Sequence, residues 1–241
     1  MGAMTTTPFE QRYEDEAPPR VAAVYADIRR RMTFVPALFK ALAADEDALE
    51  SAWLQARTIV DDPRFGAVTD RVRAAAATRS TTVPSPPLRD ALAPFAADLP
   101  GMLIIASSLR ASLDGELTRG EPIGTIEPGT APPESSVPEV RGEHPLYEEI
   151  RAVYGTAHVP TLYRSLAARD LLEQGWSLAA AVLRSPEGVE RIRQVADVGR
   201  EEALGLGTVG CFTAESTRHI VDQLVIALPR NLVVVLSITA A

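Results

Sequence analysis

Along PRVAAVYADIRRRM, Val21, Val24, Tyr25 and Ile28 recur at spacings of three, one and three, the apolar stripe of an amphipathic helix. FVPALFKALA, from Phe34 to Ala43, begins a second helix, with Pro36 in the first turn, where its missing N–H needs no partner. That helix ends near ADED, and ALESAWLQARTIV starts or continues another. Helical patterns also cover DRVRAAAAT, PLRDALAPFAADL and GMLIIASSLRASL, and later PLYEEIRAVYG, VPTLYRSLAARDLLEQGWSLAAAVL and EGVERIRQVADVGREEAL. ESTRHIVDQLVIAL and RNLVVVLSITAA are predicted as two final helices. No run combines strand alternation with turn chemistry, so the predicted class is all-α, although the β-branched end is ambiguous by propensity.

From Asp114 to His144 the pattern stops. DGELTRGEPIGTIEPGTAPPESSVPEVRGEH is crowded with Pro, Gly, Ser and Glu, which excludes a regular core element and predicts a linker or covering loop. The segments on either side of it repeat one another. HVPTLYRSLA, from His158 to Ala167, matches FVPALFKALA at five of ten positions. Tyr25, Ile28 and Arg29 match Tyr147, Ile150 and Arg151; Pro36 matches Pro160; Trp53 matches Trp176; and LPGMLIIASSLRA from Leu99 matches LPRNLVVVLSITA from Leu228. These landmarks keep their order. The expected organisation is two tandem helical repeats, 1–113 and 145–241, packed in pseudo-two-fold symmetry as one compact domain, with 114–144 wrapping them. Ligand pockets tend to form at such junctions.

With 46% hydrophobic residues in 241, the chain can bury a substantial core. A net charge of -8 repels nucleic acid and anionic membrane, so neither is an expected partner. A basic partner or a neutral small molecule is easier to accommodate. The most apolar run, at the C-terminal end, contains Pro229, Arg230 and Asn231 and falls short of about 18 uninterrupted apolar residues, so a buried helix is predicted there. No basic stretch followed by an apolar one opens the sequence, and a cytoplasmic location is the expectation. The single cysteine, Cys211, excludes an internal disulfide and is expected to be a buried structural thiol.

Short motifs carry little. GLGTVG, from Gly205, has dinucleotide-loop spacing but follows a polar helix where a strand would be required, and reads as a turn. His219 and Asp222 share a helix face, yet no HExxH or carboxylate cluster accompanies them; a surface hydrogen bond accounts for the pair. Glu148/Glu149 and Glu201/Glu202 fit solvated helix faces, and no GxSxG is present. No metal or cofactor is expected.

Differences between the two repeats are more informative. Arg230 and Asn231 replace Gly101 and Met102 in an extremely apolar helix, where unpaired polar groups cost several kcal/mol. They either anchor a ligand or reach solvent or a neighbouring helix end. Asp98 stands where the second repeat has Ala227, and is either a helix cap or a general base.

YADIRRRMTFVPALFKALAADEDALESAW resembles the first half of the group I 2-haloacid dehalogenases, HVPTLYRSLA resembles the second-half segment that carries their catalysis, and RNLVVVLSIT resembles their C-terminal helix. The sequence is also similar to the alkylhydroperoxidase-D helical unit, whose redox cysteine pair is absent. Resemblance to the dehalogenases implies an active site between two repeats, where an aspartate in the second-repeat phrase activates water to displace halide from a short carboxylate. Leu162 or Tyr163, depending on alignment, stands at that aspartate's position, and Leu99 at the family's asparagine.

Without an activating carboxylate, hydrolytic dehalogenation is not expected, since a general base contributes about 10² to 10⁴-fold. What the resemblance leaves is an apolar cavity for an sp³ carbon bearing a leaving group. Such a site can promote displacement by a nucleophile already in the substrate. The expected activity is therefore substitution or ring closure in secondary metabolism, on a small substrate that a carrier protein could present. The alternatives are a non-catalytic ligand-binding or partner protein and a 2-haloacid dehalogenase with a relocated base. Candidate catalytic residues are Asp98 and Tyr163, and candidate substrate-binding residues are Arg230, Asn231, Thr161, Leu162, Leu99, Phe39 and Lys40.

Overall fold

The computed structural model describes residues 9–77, 83–121, 124–126 and 137–239. Five helices precede the Pro/Gly-rich stretch: α1 (Pro19–Arg29), α2 (Ala37–Leu42), α3 (Glu46–Val60), α4 (Phe65–Ala76) and α5 (Pro86–Leu113). Five follow it: α6 (Leu146–Tyr154), α7 (Thr161–Ala167), α8 (Leu172–Arg184), α9 (Pro186–Gly205) and α10 (Arg218–Thr239). Among the described residues the remaining order is two short 3₁₀ turns and one isolated bridge between Arg119 and Gly210. The all-α class holds.

α5 and α10 lie against each other and form the centre, and the other helices pack around them in exchanged pairs. α2 touches α10 while α7 touches α5; α4 touches α10 while α9 touches α5; α1 packs on α3 as α6 packs on α8. Ring contacts follow the same exchange. Phe39 meets Trp53 edge-on at 5.3 Å, and the matching Tyr163 meets the matching Trp176 edge-on at 5.5 Å.

Two boundaries differ from the sequence expectation. The two helices expected around GMLIIASSLRASL are one, α5, with Pro94 and Pro100 inside it, and the two expected at the end are one, α10, with Pro229 inside. An interior proline costs about 3 kcal/mol through its lost hydrogen bond and ring clash. Burial outweighs that here, because Leu103, Ile104, Ile105, Leu232, Val233 and Val235 are each fully buried, at about 1.5–3 kcal/mol per side chain. By length and composition α5 and the segment Glu215–Thr239 could each cross a membrane, but 72% and 78% of their apolar windows are buried inside this fold. Conversely, VPTLYRSLAARDLLEQGWSLAAAVL breaks into α7 and α8 at Asp170, whose φ of 56° is incompatible with a continuous helix.

Described parts of 114–144 bind both halves. Thr125 accepts a hydrogen bond from Arg57, Gly210 N–H donates to the Thr118 carbonyl, and Glu139 pairs with Lys40. Residues 122–123 and 127–136 of the expected linker lie outside the described residues. Lys40, expected to line a substrate cavity, is instead sealed beneath the segments carrying Glu14 and Glu139. Its Nζ is 2.7 Å from Glu139 and 3.1 Å from Glu14, over the Tyr13 ring at 5.0 Å. Burial pushes the Lys40 pKa down, but the two carboxylates outweigh it and hold the ammonium above its ordinary value. Removing one partner of a buried pair leaves the other charge uncompensated. Lys40→Ala is therefore expected to cost about 3–5 kcal/mol in urea denaturation. A loss below about 1 kcal/mol would mean that water reaches both carboxylates.

Candidate functional site

A cavity of about 50 Å³ lies where the two halves meet, between the starts of α2 and α7 and the middles of α5 and α10. A single water needs roughly 10–15 Å³ on this measure, so the space suits a few waters or a small organic group. Its walls come in sequence-matched pairs. Pro36 faces in with Pro160 and Leu38 with Leu162, at an offset of 124; Phe95 does so with Leu224 and Leu99 with Leu228, at an offset of 129.

At three pairs the chemistry diverges, and each time the second half carries the polar member: Ala37 is matched by Thr161, Met102 by Asn231 and Phe34 by His158. All three polar groups of the cavity thus come from the second half. Thr161 Oγ1 is buried without a hydrogen-bond partner. Asn231 accepts through Oδ1 from the Tyr154 hydroxyl at 2.8 Å, and Tyr154 in turn lies 2.8 Å from the Tyr163 hydroxyl. With Tyr154 donating to Asn231, the order of donation runs from Tyr163 to Tyr154 to Asn231. That arrangement fixes the amide carbonyl away from the cavity and leaves the NH₂ as the group available to a ligand. Burial raises the pKa of both tyrosines, so the chain of hydroxyls stays protonated.

His158 completes the polar side. Gln11 Nε2 donates to its Nε2 at 3.2 Å, which puts the ring proton on Nδ1, and Phe9 stacks on the ring at 4.7 Å. Burial, with a smaller effect of Arg164, lowers its pKa to about 3 from the usual 6.5. It is a neutral imidazole and a weak base.

Of the residues singled out from sequence, Leu99, Thr161, Leu162 and Asn231 line this cavity, and Asp98, Arg230, Phe39, Lys40 and Tyr163 do not. The expectation for Asp98 and Arg230 rested on helix starts at Leu99 and Arg230; both residues instead sit mid-helix. Asp98 accepts from the Thr33 N–H at 2.9 Å and hydroxyl at 2.6 Å, at a separate outer hollow beside Arg31 and Gly101, where burial raises its pKa despite those bonds. Arg230 donates to the Ile226 carbonyl at 2.6 Å, one turn back on its own helix. Phe39 and Tyr163 are held edge-on by Trp53 and Trp176, one layer behind the wall. Tyr163 still reaches the cavity indirectly, as a positioning residue for Asn231. Tyr154 and His158 were not anticipated; the exchange of Phe34 for His158 within the repeat is the signal that could have found the second.

Elsewhere two plain readings are revised: the partner of Asp222 is Arg110, where His219 was expected, and Cys211, expected to be buried, is half-buried. Gly207 turns with φ 63° after α9, Asp222 pairs with Arg110, and Glu149 and Glu202 pair with Arg184 and Arg71. Cys211 is half-buried, with its thiol 3.6 Å from the Ser51 carbonyl and its pKa raised by burial. Among the described residues no group of three or more His, Cys, Asp or Glu could hold a metal ion.

The chain resembles solved structures of a D-2-haloacid dehalogenase. One is a mutant in complex with D-2-CPA and another a complex with L-LA, each with a TM-score of 0.70, 16% identity, and coverage of 98% of this chain and 97% of that one. A third, also a mutant, has a TM-score of 0.68 at 16% identity and covers 98% and 94%. At this identity the likeness establishes the helical dehalogenase-like fold and nothing finer. No family model and no curated protein matches the chain.

Two outcomes follow. Because the folded chain keeps His158 neutral, the stability this contributes is full above pH 6.5 and is lost as pH falls towards 3, by about 2 kcal/mol between pH 6.5 and 5. His158→Phe, which installs the first-half residue, should flatten the Tm against pH over that window; an unchanged slope would assign it to other groups. Thr161→Ala should leave Tm unchanged or raise it, since the deleted hydroxyl has no partner to lose. A fall equivalent to more than about 1 kcal/mol would reveal a hydrogen bond in the folded state.

Proposed function

We propose that the chain is a duplicated, group I dehalogenase-like enzyme that does not hydrolyse carbon–halogen bonds and instead promotes substitution on a small organic substrate, by intramolecular displacement or ring closure of the kind used in secondary metabolism. The observation that carries this reading is that no Asp or Glu stands among the described residues of the cavity wall. Asp98 supports no base role, because it is held by Thr33 at a separate hollow. His158 is a poor substitute, since accepting a proton would place a cation in a buried site that already holds it neutral.

Hydrolysis needs water made nucleophilic, whereas a substrate carrying its own amine does not. The amine nitrogen forms a bond to the sp³ carbon, the leaving group departs with the electron pair, and the resulting ammonium gives its proton to solvent after release. Close confinement between Leu38, Leu162, Leu99 and Leu228 favours the folded conformer and keeps out competing water. The Thr161 hydroxyl and Asn231 NH₂ supply fixed dipoles for the departing anion. Such a reaction needs no cofactor, and presentation by a carrier protein in the cytoplasm is compatible with it.

The same neutral cavity also supports a second reading, a ligand-binding or partner protein of this fold without catalysis. A relocated base would give the third, a true 2-haloacid dehalogenase. Incubation with 2-chloropropionate separates the third from the others: halide release should stay at the buffer background. Robust, saturable release abolished by Thr161→Leu would overturn the proposal.

A further inference from the structure

Among the described residues eight buried side-chain polar atoms have no hydrogen-bond partner, and five of them belong to one seam. Gln11 Oε1 and Glu14 Oε1 come from the N-terminal segment; Glu139 Oε2, the Tyr147 hydroxyl and Arg164 Nε come from the surface it covers. Glu14 and Glu139 share Lys40, Arg164 lies over the Tyr147 ring at 5.8 Å, and Tyr147 is within electrostatic reach of Glu139 and Tyr13. Each such atom forgoes hydrogen bonds that water supplies once the segment lifts, which makes closure less favourable than a fully paired seam would. Little apolar burial offsets this. No residue of 9–16 is fully buried, and the only regular order there is the 3₁₀ turn Glu14–Glu16.

What holds the segment is mostly polar. Arg12 N–H donates to the Lys40 carbonyl at 2.9 Å, the Tyr25 hydroxyl donates to the Arg12 carbonyl at 2.7 Å, and Glu14 pairs with Lys40 at 3.1 Å. Arg141 secures the inner end, pairing with Asp15 and Glu16 and covering the Tyr13 ring at 4.1 Å. The other end closes on His158, where Phe9 stacks on the ring at 4.7 Å and Gln11 donates to its Nε2 at 3.2 Å. His158 borders both the cavity at the junction of the halves and a surface hollow of about 420 Å³ that Phe9 also lines. Its ring is thus a wall shared by the two spaces.

We propose that residues 9–16 form a gate: they lift as a unit from α2 and from the stretch 137–143, release the His158 ring, and join the cavity to the hollow outside. Lys40 keeps Glu139 through this movement, so its charge is not left alone when Glu14 departs. Passage of a substrate through the gate rests on the reading of the cavity as the substrate site. The gate itself is tested without a substrate, so failure of either leaves the other standing.

Diethyl pyrocarbonate acylates the unprotonated nitrogen of a neutral imidazole, here Nε2, which Gln11 covers while the gate is closed. Applied to the intact chain at pH 7, with each histidine followed by mass spectrometry, it should label His158 in proportion to opening. Exchange of the Arg12 amide hydrogen should report the same event. Because opening exposes little surface, both rates should stay nearly flat in low urea, whereas exchange of the α5 amides should rise steeply. Arg141→Ala loosens the end of the segment remote from His158. It should raise His158 labelling and Arg12 exchange together by about three- to ten-fold and leave labelling of His219 unchanged, while Arg141→Lys gives a smaller rise. No labelling of His158 in the folded chain, or labelling as steep in urea as α5 exchange, overturns the proposal whatever the variants do. Unchanged His158 labelling in Arg141→Ala also overturns it, even if Arg12 exchange rises, because the two ends would then move separately.

Discussion

The contact between α5 and α10 is the constraint on which the rest depends. Each is too apolar to face water over its middle turns, so each must be covered on nearly all sides. Each covers the other along one side, and the shorter helices close the remainder in exchanged pairs, α2 and α4 reaching α10 while α7 and α9 reach α5. Small residues allow the close approaches. A side chain at Gly199 would strike Leu103 at 2.6 Å, and one at Gly175 would strike Leu166 at 2.5 Å. The interior prolines are tolerated because the helices containing them cannot leave this packing without exposing the core.

Exchange symmetry also explains where the cavity lies. Residues near the meeting point of two matched halves are pushed towards their own counterparts, and identical bulky side chains such as Leu38 and Leu162 cannot both fill the same space. A small void remains, walled by matched pairs. Its character is then set by the pairs that have diverged. Three exchanges, Ala37 to Thr161, Met102 to Asn231 and Phe34 to His158, give hydroxyl, amide and imidazole to second-half positions and leave hydrocarbon at their first-half counterparts. A ligand in such a space is oriented by polarity even though most of the wall consists of sequence-matched apolar side chains.

Much of this was legible in the sequence, and the failures have identifiable causes. Helix class could be read because the apolar spacing of Val21, Val24, Tyr25 and Ile28 is a local signal. Thr161, Leu162, Leu99 and Asn231 were picked out because they stand at positions where the repeat or the family pattern draws attention. Asp98 and Arg230 were misplaced by one error: prolines at 100 and 229 were treated as helix starts, although tertiary burial carries both helices through them. His158 was missed because histidines were searched as clusters, and an isolated one that replaces Phe34 in the repeat is invisible to that search. Tyr154 could not have been found at all, since its bond to Asn231 joins residues 77 apart in sequence.

Sequence-matched positions in the two halves also differ in what they do. In the first half the cation at the repeated position, Lys40, is spent on structure: it closes a buried cluster with Glu14 and Glu139 and ties the N-terminal segment to the linker across the start of α2. Its burial costs stability unless both carboxylates are present, so that position has little freedom to acquire a ligand. In the second half Arg164 forms no ion pair with a described carboxylate and lies instead over the Tyr147 ring, 5.8 Å from its centroid. On the cavity wall the hydroxyl left without a partner, Thr161 Oγ1, belongs to the second half. An unsatisfied buried group costs free energy in the empty protein, and a hydroxyl of that kind on the cavity wall has the polarity to recover that cost from a ligand.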